Sequence, residues 1–287
     1  MPYLEAKIPK IIGRDNLTLE KLYGAYYELY DYTIAQRRGL DYLLGHLNSD
    51  NVSSLDYNQT AFTYKQDEYT KTLLNFNGIH TSTTITDEYG KTWTVNGDVQ
   101  LNVIYKKFGS SSGSFIAAAN WIDTPDHDDF TLGSGNFTFD FWVKRGNVGV
   151  TGYLFGQANN AIDFNTTSIL ALFLDSFPTN GLRVIICQGA VSYTATSSTV
   201  ISDTTEWHHI AIVRYGNTMT IYIDGVASGT VDVTGVTVNN SGNKFAIGRT
   251  GEYASGDFAG YIDSFRFSKG IARWTANFML PIYEYTK

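Results

Sequence analysis

The residues that most readily suggest chemistry form an acidic loop, Asp123-Thr-Pro-Asp-His-Asp-Asp129. Carboxylate oxygens are the ligands that Ca²⁺ prefers, so Asp126, Asp128 and Asp129 are candidate calcium ligands. The run lacks the fixed ligand spacing of an EF-hand, and an acidic turn that holds no metal is the favoured alternative. No other cofactor is predicted.

Two adjacent histidines, His208 and His209, follow Trp207 and invite a metal or acid-base interpretation. They lie in a run with a two-residue hydrophobic period, and neighbouring strand residues point to opposite faces of a sheet. The pair therefore cannot chelate one ion together.

Several loops carry the side chains that sugar recognition uses, namely planar polar groups for hydroxyls and aromatic faces for the C–H surface of a ring. Nothing in the sequence decides among these loops, and an exposed aromatic residue can equally anchor a protein interface. The candidate ligand-binding residues are Tyr153, Asn159, Asn160, Phe177 and Tyr253.

Composition narrows the classes of protein. The net charge of −7 gives no electrostatic reason to bind nucleic acid or an anionic membrane, so neither is a predicted partner. The single cysteine, Cys187, is predicted to be a buried strand thiol. No secretion signal is recognisable at the N-terminus and no run approaches the length of a membrane span, so we expect synthesis in a cytoplasm without membrane insertion.

The elements that must position these residues differ along the chain. Apolar residues follow a helical period in 17–47, and a polar stretch covers 50–69. We therefore predict a short helical segment and an extended arm in residues 1–69. This segment either packs on the rest of its own chain or serves in docking and homo-oligomerisation, and the sequence leaves both open.

After residue 70 the hydrophobic period becomes two. In the run 136–143 the residues Phe137, Phe139, Phe141 and Val143 share one face, which predicts a core strand. Further strands are predicted at 152–156, 168–174, 182–187, 191–196, 207–215, 218–224, 244–248 and 261–267. The pairs Gly216-Asn217 and Asp224-Gly225 favour tight turns, and they predict a three-stranded meander.

The order of these runs resembles the laminin-G-like domains of the concanavalin A-like lectin/glucanase superfamily, in the form found in bacteriophage virion proteins. The motifs that carry the resemblance are Thr72–Gly78, Asp87–Trp93, Lys107–Ser110, Phe130–Val143, Glu206–Arg214, Ile221–Gly225, Phe245–Arg249, Gly260–Phe267 and Gly270–Trp274, followed by Phe278. Within them Trp142, Trp207, His208, Asp224, Gly225, Asp263 and Trp274 are expected to be structural. The resemblance implies a mainly β fold over residues 70–287, a two-sheet antiparallel jelly-roll sandwich.

The same resemblance bears on catalysis. Glucanases of this superfamily carry Glu-x-Asp-x-x-Glu or Glu-x-Asp-x-Glu on one strand, and no such run exists here. Because glycosidases need two carboxyl groups flanking the scissile bond, we predict that the protein is not an enzyme.

Function is therefore predicted at the level of a binding or structural protein. The leading hypothesis is a structural protein of a bacteriophage virion, located at the particle surface and made in the host cytoplasm. Residues 1–69 would contact other virion proteins, and the sandwich would face outward to bind host-surface glycan or to decorate the particle as a tail fibre, tail tip or capsid component. A stand-alone carbohydrate-binding protein is the alternative, and a glycoside hydrolase is disfavoured.

Overall fold

The computed structural model describes residues 67–116, 119–158, 165–173, 179–250 and 256–287. The predicted helical segment and arm lie outside these ranges, apart from the last three residues of the arm, and stay a prediction. Within the described residues no helix has the length and apolar character needed to cross a membrane.

The described chain is built almost entirely of strands. They are β1 (Thr70–Leu74), β2 (Thr94–Asn96), β3 (Gln100–Asn102), β4 (Ser112–Ser114), β5 (Trp121–Thr124), β6 (Phe137–Arg145), β7 (Gly152–Gly156), β8 (Ile169–Phe173), β9 (Gly181–Gln188), β10 (Val191–Val200), β11 (His208–Tyr215), β12 (Thr218–Ile223), β13 (Val226–Asp232), β14 (Phe245–Ile247) and β15 (Gly260–Lys269). One 3₁₀ helix, Asp128–Phe130, interrupts the acidic loop.

The strands form two antiparallel sheets. The eight-stranded sheet has the order β13-β12-β11-β6-β15-β4-β3, with β1 also paired to β15. The seven-stranded sheet has the order β10-β9-β8-β7-β14-β5-β2. The predicted meander is confirmed, since β11, β12 and β13 are consecutive neighbours joined at Gly216-Asn217 and Asp224-Gly225.

An aromatic core joins the sheets, and it confirms the predicted sandwich. Phe139 of β6 stacks on Phe155 of β7 at 4.9 Å and on Phe267 of β15 at 4.3 Å between ring centroids. Phe245 of β14 stacks on Phe130 at 4.6 Å. Offset and edge-on contacts between buried rings stabilise a core beyond the area that they bury. Cys187 is buried on β9, as predicted, and burial raises the pKa of its thiol to about 11.

A C-terminal segment, residues 270–287, lies against the outer face of the larger sheet. Trp274 stacks on Phe278 at 4.0 Å, and both rings meet His209 edge-on. Tyr285 lies over the guanidinium of Arg266 at 3.6 Å. This outer face is therefore covered by the chain's own C-terminal segment.

Candidate functional site

The carboxylates of the acidic loop do not converge on a common point. Asp126 accepts a hydrogen bond from Gln157 at 2.8 Å, and Asp129 forms an ion pair with Lys91 at 2.6 Å. His127 caps the 3₁₀ helix by accepting from the backbone N–H of Asp129. In the part of the chain that the structure describes, no three His, Cys, Asp or Glu side chains are placed to hold a metal ion. Asp126 and Asp129 are thus engaged by protein groups in this structure, and calcium binding at the loop stays a prediction.

The two histidines have separate environments, as the strand geometry predicts. Nδ1 of His208 lies 2.7 Å from Asp224 and Nε2 lies 2.9 Å from Asp203. The bond to Asp224 raises the pKa of His208 to about 8 against the opposing effect of burial, and Asp203 adds to the rise. We call these three residues the histidine clamp. His209 is fully buried, 3.8 Å from Asp140.

Two buried carboxylates on the larger sheet, Asp140 and Asp263, are hydrogen-bonded to neighbouring groups. Asp140 binds Arg266 through two bonds of 3.0 and 3.1 Å; burial opposes its charge, yet Arg266 and His209 lower its pKa to about 2. Burial raises the pKa of Asp263 to about 7, although the carboxylate accepts from the backbone N–H groups of Lys107 and Phe108. These residues therefore hold the fold together.

Of the five predicted ligand-binding residues, the structure describes Tyr153 alone. Its backbone N–H donates to Gly256 at 2.8 Å, and its half-buried ring packs against that glycine. Next to it, Arg249 holds Asp257 through two bonds of 2.7 Å and lies 3.5 Å over the ring of Trp121. Tyr153 thus packs against Gly256, next to the Arg249–Asp257 ion pair. Asn159, Asn160, Phe177 and Tyr253 lie outside the described residues.

A surface depression of about 370 Å³ lies beside the start of β1. We call it the Tyr89 depression. Its volume is within the range of small-ligand pockets. The lining residues are Asp67, Glu68, Thr70, Lys71, Tyr89, Lys91 and Asp129.

The floor of the Tyr89 depression is fixed by ionic contacts. Lys91 joins Asp129 to the backbone carbonyl of Lys71. Asp67 is held by Arg273 and Thr70, which lower its pKa although burial acts in the opposite direction. The contacts of Lys91 and Asp67 therefore hold both side chains in place without a ligand.

Glu68, Lys71 and Tyr89 line the rest of the Tyr89 depression. Glu68 is exposed, Lys71 is half-buried, and the half-buried ring of Tyr89 has a pKa that burial raises. The Tyr89 depression therefore combines one aromatic ring with carboxylate and ammonium groups, which is the chemistry that hydroxyl-rich ligands require.

The sequence alone does not predict the Tyr89 depression. Asp129 was predicted as a metal ligand, while Asp67 and Glu68 fell in the polar arm and Tyr89 and Lys91 in a family motif. The three stretches, 67–71, 89–91 and 129, are separate in sequence, and only strand pairing and the ion pairs bring them together. A run that contains an aromatic and a basic residue, Tyr89-Gly-Lys91, was the one local signal.

Comparison with known proteins decides the family. Residues 117–272 match the laminin G family described as the concanavalin A-like lectin/glucanases superfamily. The chain belongs to the concanavalin A-like lectin/glucanases superfamily. This confirms the lectin-like fold that the sequence motifs predicted. No curated protein sequence matches the chain.

Solved structures with this lectin-like fold include bacterial toxin domains. The binding domain of botulinum neurotoxin DC in complex with SialylT matches with a TM-score of 0.51 and 16% identity, over 71% of this chain and 49% of the other. The binding domain of Paraclostridial mosquitocidal protein 1 matches with a TM-score of 0.53 and 18% identity, over 71% and 49%. The binding domain of botulinum neurotoxin serotype G matches with a TM-score of 0.53 and 17% identity, over 70% of this chain and 48% of the other.

The likeness to these structures is one of fold. At such low identity it extends to the lectin/glucanases sandwich and to no individual side chain. The chain spans about half the length of the toxin domains that it matches.

Proposed function

We propose that this protein is a non-enzymatic, lectin-like structural protein of a bacteriophage virion. Residues 1–69 attach it to other virion proteins or oligomerise it, and the sandwich faces outward as an adhesion or decoration module that binds host-surface glycan. The Tyr89 depression is the glycan site in this proposal.

The Tyr89 depression carries the binding half of the proposal. A sugar presents hydroxyl groups along its edges and a C–H surface on its face. Asp67, Asp129 and Glu68 offer acceptors, and Lys71 and Lys91 offer donors. Tyr89 offers an aromatic ring, over which the Lys287 ammonium lies 5.3 Å from the centroid. Because the ion pairs fix the floor in advance, binding orders few side chains.

The state of the sheet carboxylates supports a protein without catalysis. A glycosidase needs an acid and a nucleophile or base flanking an open cleft. Asp140 is buried in an ion pair with Arg266, and Asp263 is buried against backbone N–H groups. Their arrangement supports binding rather than hydrolysis.

The proposed role in a bacteriophage virion is supported by the sequence alone. The resemblance is to sandwich domains of phage particles, and the helical segment and arm predicted for residues 1–69 would suit attachment to a larger assembly.

Glycan binding is tested on the full-length protein with an array of bacterial surface glycans. We expect saturable binding, and we expect Tyr89→Ala to weaken it about tenfold through loss of the ring contact. Tyr215→Ala is the matched control, because Tyr215 is 60% exposed at the end of β11 and outside the depression. Equal loss in both variants, or no binding at high protein concentration, would refute the assignment.

Particle association needs a separate experiment. Electron microscopy of virions that carry a tagged copy should place the tag at the particle surface. Absence of the protein from purified particles, combined with Tyr89-dependent glycan binding, would instead favour the stand-alone lectin.

A further inference from the structure

The two most exposed large apolar side chains of the described chain lie at one edge of the larger sheet. Ile79 is 82% exposed and Ile104 is 70% exposed. Val103 and Tyr105 follow at 36% and 45%. Soluble proteins rarely group such residues without a partner, whether protein or membrane. We call Ile79, Val103, Ile104 and Tyr105 the β3 edge patch.

Backbone bonds hold the two parts of this patch next to each other. The N–H of Thr81 donates to Leu101 and the N–H of Leu101 donates to Ser82, both at 2.8 Å. Ile79 begins the turn that ends at Ser82, closed by a bond of 3.0 Å. Ile79 and Ile104 therefore sit on neighbouring turns.

The second turn is fixed from within. The Asn102 side chain accepts from the backbone N–H groups of Ile104 and Tyr105 at 2.8 and 2.9 Å. The ring of Tyr105 lies 4.8 Å from that of Tyr261. Because these contacts set the shape of the turn, the exposure of its apolar side chains is a stable property of the fold.

The two segments that carry the patch hold basic residues and no acidic ones. Residues 76–83 and 99–110 contain no Asp or Glu and include His80, Lys106 and Lys107. Several carboxylates lie near these segments. Asp98 precedes β3, at the opposite end of that strand from Ile104, and Asp224 and Glu206 lie near Lys107. Glu284 accepts from Asn77, and the buried Asp263 accepts from backbone N–H groups. Lys106 is exposed, while the Lys107 ammonium lies 3.9 Å over Trp142.

We propose that the β3 edge patch is a peripheral membrane-binding surface that inserts Ile79 and Ile104 among the headgroups of an anionic bilayer. Apolar tips flanked by cations suit that boundary, because the apolar groups leave water while lysine meets lipid phosphate. The net charge of −7 predicts the opposite, yet charges more than about 8 Å away are largely screened at physiological salt.

Charge also argues against a second copy of this chain as the occupant. A two-fold symmetric contact places the same patch on both subunits, so that it would bring Lys106 close to its own copy and leave both unpaired. A glycan is a poorer fit, because Ile79, Val103 and Ile104 have no side-chain hydrogen-bonding group.

Co-sedimentation with lipid vesicles tests the proposal on the full-length protein. One set of vesicles is phosphatidylcholine alone, and the other contains phosphatidylserine as well. We expect binding to the mixed vesicles, weakened by salt, and a loss of at least about tenfold in the double variant Ile79→Ser/Ile104→Ser. Lys106→Glu should weaken binding to the mixed vesicles only.

Two exposed apolar residues elsewhere provide the matched control. Val191 and Tyr215 are 56% and 60% exposed, and Val191→Ser/Tyr215→Ser should bind vesicles like the wild type. Equal binding by the β3 edge variant, or no binding to either vesicle, overturns the proposal. Concentration-dependent dimerisation that the β3 edge variant abolishes would identify a self-interface instead. Tyr89→Ala should leave vesicle binding unchanged, so this result is independent of the glycan assignment.

Discussion

At the scale of single residues, the histidine clamp couples stability to pH. Asp224 and Asp203 raise the pKa of His208 from 6.5 to about 8. Because the folded pKa lies above the unfolded one, the clamp contributes its full stability below about pH 6.5 and loses it as the pH rises through about 8. A rise of this size corresponds to about 2 kcal/mol.

The prediction concerns the difference between wild type and His208→Gln. In urea denaturation at several pH values from 6 to 9, the wild type should be more stable by about 2 kcal/mol at the acidic end, and the difference should shrink at the alkaline end. His80→Gln, in an exposed turn, controls for removal of a histidine. A difference that stays constant across this range would show that His208 is not a charged clamp.

The sequence predicts which face of a sheet a strand residue points to, but it does not predict which side chains that residue contacts. Two-residue alternation correctly separated His208 from His209, and it put Phe137, Phe139 and Phe141 in the core. The partners of His208 were not predictable in the same way. Asp203 arrives from the β10–β11 connection, and the Asp224 carboxylate is aimed by a turn in which Asp224 adopts a φ of 51°. Both depend on tertiary geometry that no local pattern encodes.

At the scale of elements, a glycine ties the C-terminal segment to the larger sheet. Gly225 has a φ of 78°, its carbonyl accepts from the N–H of Phe278 at 2.9 Å, and a Cβ there would lie 2.2 Å from the Phe278 carbonyl oxygen. A side chain must therefore displace the segment that carries Trp274 and Phe278.

We expect Gly225→Ala to lower the free energy of unfolding by more than about 2 kcal/mol and to shift tryptophan emission to the red as Trp274 becomes hydrated. Gly189→Ala is the control, because Gly189 also has a positive φ, 54°, but open space around it. It should cost about 1 kcal/mol, the backbone penalty alone, without a spectral shift. Equal effects of the two changes would show that the Phe278 contact contributes nothing.

Strand positions were easier to predict than strand partners. The run 152–156 coincides with β7, and the meander of β11 to β13 follows from its two turns. The pairing of β6 with β15, which joins residues more than a hundred positions apart, is set by packing across the whole core. Short strands such as β4, with the sequence Ser-Gly-Ser, carry no hydrophobic period and were missed. The Tyr89 depression also depends on long-range packing, because its lining residues come from 67–71, 89–91 and the acidic loop.

At the scale of the whole molecule, the sandwich has its own core. The cluster of buried side chains that joins the two sheets runs from Leu74 to Phe267. The β3 edge patch and the Tyr89 depression are described entirely within residues 67–287. The binding functions proposed for the chain can therefore be separated experimentally from attachment by residues 1–69.

This separation leads to a prediction about assembly. We expect full-length protein to be an oligomer in light scattering coupled to size exclusion, and a fragment of residues 67–287 to be a monomer that unfolds in one cooperative transition. The reason is that the fragment keeps every residue of the core, while residues 17–47, whose helical period is compatible with association as well as with packing on the same chain, are removed. A fragment that assembles like the full chain would place the subunit contact on the sandwich. A monomeric full chain would leave residues 1–69 with docking to other virion proteins as their remaining proposed role.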